Sequence, residues 1–134
     1  MSDQIIQIKD GSDNNIFPKI SAYAIEFRGS EVCTAKNGAT LDTTASYTRA
    51  MKRNGVATIE IRITVPTISS RTTIATLADA LKPQMDITYI KVYDMWNATL
   101  VGDVTIGSTG DIDARETCSG KNIQIVMTYP TQTM

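Results

Sequence analysis

Apolar and polar residues alternate one by one along several short stretches of this chain, a pattern typical of strands with one buried face. The clearest case lies within residues 98–114, where Val104 and Ile106 are flanked by polar residues. A glycine-rich segment, 107–110, follows them, and glycine readily adopts the positive φ of a tight reversal. We therefore predict a half-buried β-hairpin over this stretch.

The segment 122–129 repeats the alternation over a longer run. Four apolar residues fall on one face at period two, namely Ile123, Ile125, Met127 and Tyr129. Residues two apart along a strand point to the same side of the sheet. The pattern predicts a strand whose apolar face covers the core.

Residues 45–65 predict a second hairpin. Asn54-Gly55 suits the type I′ turn, whose twist matches that of two paired strands. A two-residue loop at this point fixes the register and places Arg49 opposite Glu60. We predict a cross-strand ion pair between them, worth only ~0.2–1 kcal/mol because it is exposed.

Four other segments give weaker patterns. Residues 19–28 alternate and predict a strand, whereas 29–44 contain few large apolar residues and predict a mobile loop. Residues 70–83 fit either a short helix or a strand followed by a turn. Residues 85–94 are apolar on both faces, which predicts a strand covered by the core on one side and by a neighbouring subunit on the other.

Seven or eight short strands separated by turn signals indicate an all-β fold. We predict an antiparallel β-sandwich of jelly-roll type over residues 21–134, a small barrel being the alternative, with an N-terminal arm over residues 1–20. A chain of 134 residues has room for one such domain. The arm contains its own apolar residues, which are Ile6, Ile8, Ile16, Phe17 and Pro18.

Composition argues against several functional classes. The net charge is −1 and no basic cluster is present, so we expect no nucleic-acid partner. The chain has no histidine, which removes the commonest general base and metal ligand. With no cofactor motif either, we expect no enzyme, no cofactor and no metal site. No apolar run reaches membrane-spanning length and no export signal is visible, so we expect neither membrane insertion nor export.

Two features resemble binding or catalytic elements but have simpler interpretations. Asp103, Asp111 and Asp113 crowd one hairpin, and paired carboxylates can serve glycoside hydrolysis or bind a cation. We interpret them as solvent-facing residues, because no histidine or glutamate cluster accompanies them. Cys33 and Cys118 lack the spacing of a zinc site, and buried free thiols are favoured over a disulfide.

The aromatic residues near the end of the 85–94 segment form the one candidate binding site. Tyr89, Tyr93 and Trp96 could pack in the core or at an interface, which is the more common role, or stack on a sugar ring. If a glycan binds, we expect Tyr93, Trp96 and Asn97 to hold it. Asp94 would accept hydrogen bonds from its hydroxyl groups.

Two parts of the chain resemble bacteriophage virion proteins. The start, residues 6–10 through 15–18, resembles the opening of phage fibre and baseplate-associated adhesins, where an N-terminal segment docks onto the particle. The second half resembles the C-terminal β-domain of trimeric phage fibres and receptor-binding proteins. The matching motifs occur in the same order, namely Leu81-Lys82-Pro83, Gly102-Asp103-Val104-Thr105-Ile106, Gly110-Asp111-Ile112 and Thr128-Tyr129.

The resemblance implies a non-enzymatic structural protein of the virion, made in the cytoplasm of a bacterial host. It would be a homotrimeric tail fibre, head fibre or capsid decoration protein. Its arm would contact other virion proteins, and its β-domain would contact host surface polysaccharide during host attachment. The alternative is a monomeric carbohydrate-binding or assembly adaptor module outside any virus.

Overall fold

The computed structural model describes residues 24–134. The predicted arm, with its five apolar residues Ile6, Ile8, Ile16, Phe17 and Pro18, lies outside these residues.

The described chain forms ten β-strands and three short 3₁₀ turns, so the all-β prediction is confirmed. The strands are β1 (Ile25–Arg28), β2 (Cys33–Ala35), β3 (Thr40–Leu41), β4 (Arg49–Arg53), β5 (Val56–Thr64), β6 (Thr72–Leu77), β7 (Ile87–Asp94), β8 (Leu100–Ile106), β9 (Asp111–Ala114) and β10 (Asn122–Pro130). The 3₁₀ turns are Gly29–Glu31, Asp79–Leu81 and Glu116–Cys118.

All ten strands belong to one antiparallel sheet, in the order β1-β4-β5-β10-β7-β8-β9-β6-β2, with β3 paired to the end of β5. The sheet curls into a half-barrel, so the two-layered sandwich of jelly-roll type that the sequence predicted is not confirmed. The inherent twist of neighbouring strands allows one large sheet to curl around its own apolar face.

The inner face of the curled sheet encloses a single hydrophobic core. The predicted alternation is confirmed on two interior strands of the sheet, since Ile125 on β10 and Val104 on β8 are fully buried. Nine large aliphatic side chains of the core are fully buried, namely Ile59, Ile61, Ile63, Ile74, Leu81, Ile106, Ile112, Ile123 and Ile125. Each would contribute roughly 1.5–3 kcal/mol relative to an exposed side chain.

The hairpin between β4 and β5 has the predicted turn and register. Asn54 and Gly55 have φ values of 52° and 77°, as a type I′ turn requires. Arg49 pairs with Glu60, and Arg49 Nε donates to Glu60 Oε1 at 3.0 Å. The predicted ion pair is therefore present, on the outer face of the sheet.

The structure corrects one of the weaker sequence interpretations and resolves another. The segment 29–44, expected to be a loop, contains β2 and β3, which pair with β6 and β5. These strands are only three and two residues long, too short to show an alternating pattern. The segment 70–83 is a strand followed by a 3₁₀ turn, which settles the alternative left open by its sequence.

One end of the half-barrel is closed by the last residues of the chain. The Tyr129 hydroxyl donates to the Leu81 carbonyl at 2.6 Å. Lys52 is buried, and its Nζ donates to the Ala80 carbonyl at 2.8 Å and to Thr133 Oγ1 at 2.7 Å. These bonds join β4, β10 and the 3₁₀ turn at Asp79–Leu81. None of the helical turns in residues 24–134 is long and apolar enough to cross a membrane.

Candidate carbohydrate-binding site

The turn between β7 and β8 is organised by two side chains that the sequence had marked as ligand-binding. Asp94 Oδ1 accepts hydrogen bonds from the backbone N–H of Trp96 at 2.8 Å and of Asn97 at 3.2 Å. Asn97 Oδ1 accepts from the backbone N–H and the hydroxyl of Thr99, at 3.1 and 2.7 Å. Side-chain bonds of this kind commonly hold a tight turn. They fix the backbone from which the Trp96 side chain projects.

Trp96 and Tyr93 do not pack into the core of this chain. Trp96 is 74% exposed and Tyr93 is 46% exposed. Tyr93 lies on the outer face of β7, whereas Val92 beside it is fully buried on the inner face. The core thus covers one face of β7, as predicted, and the other face is exposed in this chain.

A cavity of about 370 Å³ lies beside this turn on the outer face of the sheet. Its lining is Lys91, Tyr93, Asp94, Met95, Trp96, Ala98, Gln124 and Val126. The structure therefore places Tyr93, Asp94 and Trp96 around one cavity. Asn97 is not part of the lining.

Sequence reasoning missed two polar residues of the cavity, Lys91 and Gln124. Lys91 lies two residues before Tyr93 and so shares its face, a signal that the alternation of β7 contains. Gln124 lies opposite Tyr93 because β10 pairs with β7. That pairing joins distant parts of the chain, and no local sequence pattern predicts it.

Charged and polar groups surround the cavity in two short chains of contacts. Lys91 Nζ lies 3.9 Å from Asp103 Oδ2, and Asp103 Oδ1 lies 3.7 Å from Arg115 Nη1. On the other side, Gln124 Nε2 donates to Glu60 Oε2 at 2.9 Å. Glu60 in turn accepts from Arg49, so a row of side chains crosses β4, β5 and β10.

A second and larger concavity, of about 1180 Å³, lies on the neighbouring part of the sheet. It is lined mainly by β1, β4 and β5 and contains the exposed apolar side chains Met51, Val56 and Val126. We call this surface the outer groove. Val126 lines both the cavity and the outer groove, so an apolar strip joins them.

The hairpin aspartates are engaged in contacts within the sheet. Asp111 Oδ1 accepts from the Thr76 hydroxyl at 2.8 Å, and Asp113 Oδ1 accepts from the Thr73 hydroxyl at 2.6 Å. Asp113 also pairs with Arg71 at 3.1 Å. These contacts tie β6 to β9. In residues 24–134, no group of three or more potential metal ligands comes together.

Both cysteines are buried free thiols, as the sequence favoured. Burial raises the pKa of Cys33 to about 12 and also raises the pKa of Cys118. Because the thiolate is the reactive form, neither residue is a nucleophile near neutral pH.

Comparison with known proteins gives a likeness in fold. No protein-family model matches the sequence, and no curated protein matches it. Among solved structures, the chain is similar to the receptor binding protein (gp15) of Listeria phage PSA. The TM-score is 0.55 and the identity 16%, over 83% of this chain and 68% of that one. At this identity, the likeness shows a shared fold.

Proposed function

We propose that this chain is a structural protein of a bacteriophage virion that attaches the particle to polysaccharide on a bacterial surface. The observation that carries the proposal is the exposed pair Trp96 and Tyr93 around a ligand-sized cavity. This pair lies on a fold shared with a phage receptor binding protein. The resemblance of the sequence motifs to phage fibres supports the same conclusion.

The exposed aromatic side chains around the cavity are better placed to bind a sugar than to pack in the core. Neighbouring large apolar side chains that form an exposed patch often mark a binding site. An aromatic ring presents a flat apolar face with which the C–H groups of a sugar can pack. The side-chain bonds of Asp94 and Asn97 hold the turn, so little ordering is needed when a ligand binds. Preorganisation of this kind favours binding.

The same protein would be a homotrimer with its arm bound to other virion proteins. Met51, Val56 and Val126 are exposed by 44–55% in the outer groove, and a second copy could cover them. Repeated copies on one particle would turn weak glycan contacts into strong overall attachment. The proposal covers a tail fibre, a head fibre and a capsid decoration protein, each displayed on the virion.

We also propose that the protein has no enzymatic activity. The support comes from the hairpin that carries Asp111 and Asp113. Hydroxyl groups of Thr76 and Thr73 occupy one oxygen of each carboxylate. Both side chains act as cross-strand contacts, which gives them a structural role.

The direct test is binding of the full chain to an array of bacterial surface glycans, compared with the variant Trp96→Ala. We expect the variant to lose most of the binding and to keep its melting temperature, since Trp96 contributes little to the core. Met85→Ala is the matched control, because Met85 is also exposed, by 66%, and does not line the cavity. Binding that survives Trp96→Ala, or no binding to any glycan, would overturn the proposal.

The alternative function is a monomeric carbohydrate-binding or assembly adaptor module. It is favoured by the fact that Tyr93, Trp96 and Gln124 of one chain already form both apolar and polar walls of the cavity, so glycan binding there would not require a second copy. Light scattering on the full chain separates the two. A trimer that dissociates when Val56→Asp is introduced into the outer groove supports the virion proposal, whereas a monomer that still binds glycan supports the adaptor.

A further inference from the structure

We infer that Gln124 and Lys91, rather than Asp94 and Asn97, supply the hydrogen bonds to the hydroxyl groups of a sugar unit stacked on Tyr93 and Trp96. The inference rests on the proposed glycan-binding function and assigns roles within that site. It follows from which polar atoms around the cavity are already used in the folded chain.

Asp94 and Asn97 each have one side-chain oxygen committed to the turn. Asp94 Oδ1 accepts two backbone N–H groups, and Asn97 Oδ1 accepts two groups of Thr99. Asn97 also lies outside the lining of the cavity. Their hydrogen bonds shape the turn that presents Trp96, so we assign both as positioning residues, and the variant Asp94→Asn tests the remaining Oδ2 of Asp94.

Gln124 lies in the cavity wall and has hydrogen-bonding capacity left. Its amide group has two N–H donors and one carbonyl acceptor. Within residues 24–134 the side chain makes one hydrogen bond, from Nε2 to Glu60 Oε2 at 2.9 Å. Arg49 donates to Glu60 at 3.0 Å and holds the carboxylate in place. The Glu60 carboxylate in turn orients the amide group of Gln124. A donor and an acceptor side by side match two neighbouring hydroxyl groups of a sugar.

Lys91 offers donors from the adjacent strand. Its ammonium group carries three N–H donors. The nearest carboxylate oxygen, on Asp103, is 3.9 Å away and therefore beyond hydrogen-bond distance. Asp103 is shared with Arg115 at 3.7 Å, which further weakens its hold on Lys91. Within residues 24–134, the Lys91 donors therefore remain available to bind a hydroxyl oxygen.

These four side chains form a site with two kinds of wall. Tyr93 and Trp96 provide flat apolar surface, and Gln124 and Lys91 provide polar groups beside it. Small-molecule sites commonly combine apolar lining with a few placed polar groups, in cavities that begin near this volume of about 370 Å³. The ligand class is therefore a sugar unit with neighbouring free hydroxyl groups.

The test uses the full chain and the fluorescence of Trp96, which is the chain's single tryptophan and lies in the site. A bacterial polysaccharide that binds the wild-type chain is titrated into each variant. We expect Gln124→Leu and Lys91→Met each to weaken binding roughly three- to tenfold, the usual effect of losing one hydrogen bond. Asp94→Asn and Asn97→Asp keep the turn-forming Oδ1 acceptor, and we expect both to bind within twofold of wild type.

The matched control is Thr128→Val, which removes a polar side chain from the same outer face of β10 without touching the cavity. If Asp94→Asn or Asn97→Asp abolishes binding while both Gln124→Leu and Lys91→Met bind normally, the inference is wrong. Binding that requires Trp96 but neither Gln124 nor Lys91 also overturns it, and leaves the glycan-binding proposal standing. Absence of any glycan ligand for the wild-type chain overturns both.

Discussion

The bond between the Tyr129 hydroxyl and the Leu81 carbonyl offers the sharpest test of how the half-barrel is closed. It joins the end of β10 to the 3₁₀ turn after β6, across 48 positions in sequence, and its length is 2.6 Å. Tyr129 is only 3% exposed, so water cannot replace the lost donor in Tyr129→Phe without entering the core. The substitution keeps the ring and removes a single polar atom.

The expected loss of stability follows from comparing the Leu81 carbonyl when it is hydrogen-bonded with the same carbonyl when it is buried and unpaired. A typical hydrogen bond contributes ~0.5–1.5 kcal/mol net, and a buried polar group left unpaired costs ~1–3 kcal/mol. Because the change removes one donor and leaves one acceptor unpaired, we expect Tyr129→Phe to lower the free energy of unfolding by about 1–2 kcal/mol. In a domain of this size, the melting temperature should fall by roughly 4–10 °C.

Urea unfolding followed by circular dichroism gives the free energy directly, and the m-value should be unchanged because the exposed surface is the same. The control is Tyr93→Phe, whose ring is half exposed and whose stability should stay within ~0.5 kcal/mol of wild type. If Tyr129→Phe were as stable as Tyr93→Phe, the closure of the barrel end described above would be refuted.

Three other predictions concern the core, the hairpin and a thiol. Ile61→Ala should destabilise the fold by ~2–5 kcal/mol, since Ile61 is fully buried, and urea unfolding would contradict this if the loss were below ~1 kcal/mol. A double-mutant cycle on Arg49 and Glu60 should give a coupling of only ~0.2–1 kcal/mol that weakens in high salt, because the pair is exposed. Burial raises the pKa of Cys33 from 9.0 to about 12, so in this range the folded chain binds more protons than the unfolded chain. Stability should therefore fall from about pH 9 toward pH 12, by up to ~1.4 kcal/mol per pH unit for this group, and Cys33→Ala should flatten the fall. An unchanged slope would count against the burial of this thiol.

Local hydrogen bonding also explains why the sequence predicted residues of the candidate site but not all of their roles. Tyr93, Asp94 and Trp96 are neighbours along the chain and could be proposed together from a strand end rich in aromatic residues. The roles of Asp94 and Asn97 could not be read in the same way, because their oxygens bind backbone groups of the turn only when that turn is formed. In the sequence, a carboxylate beside an aromatic residue looks the same whether it binds a sugar or holds a turn.

The amino-acid sequence specified the local features of this protein. Period-two alternation specified which face of β5, β8 and β10 is buried, because side chains of a strand point to opposite sides in turn. Asn54-Gly55 specified a two-residue turn, and the turn specified that Arg49 pairs with Glu60. Each of these depends on residues within about a dozen positions of one another.

The order in which the strands join into one curled sheet, and the residues that meet on its outer face, depend on contacts between distant parts of the chain. β10 lies between β5 and β7, although about 60 and 30 residues separate it from them in sequence. That placement puts Gln124 beside Tyr93 and creates the cavity. Such pairings follow from how the whole chain buries its apolar surface. Alternation within a strand identifies the buried face but does not identify the strand that pairs with it.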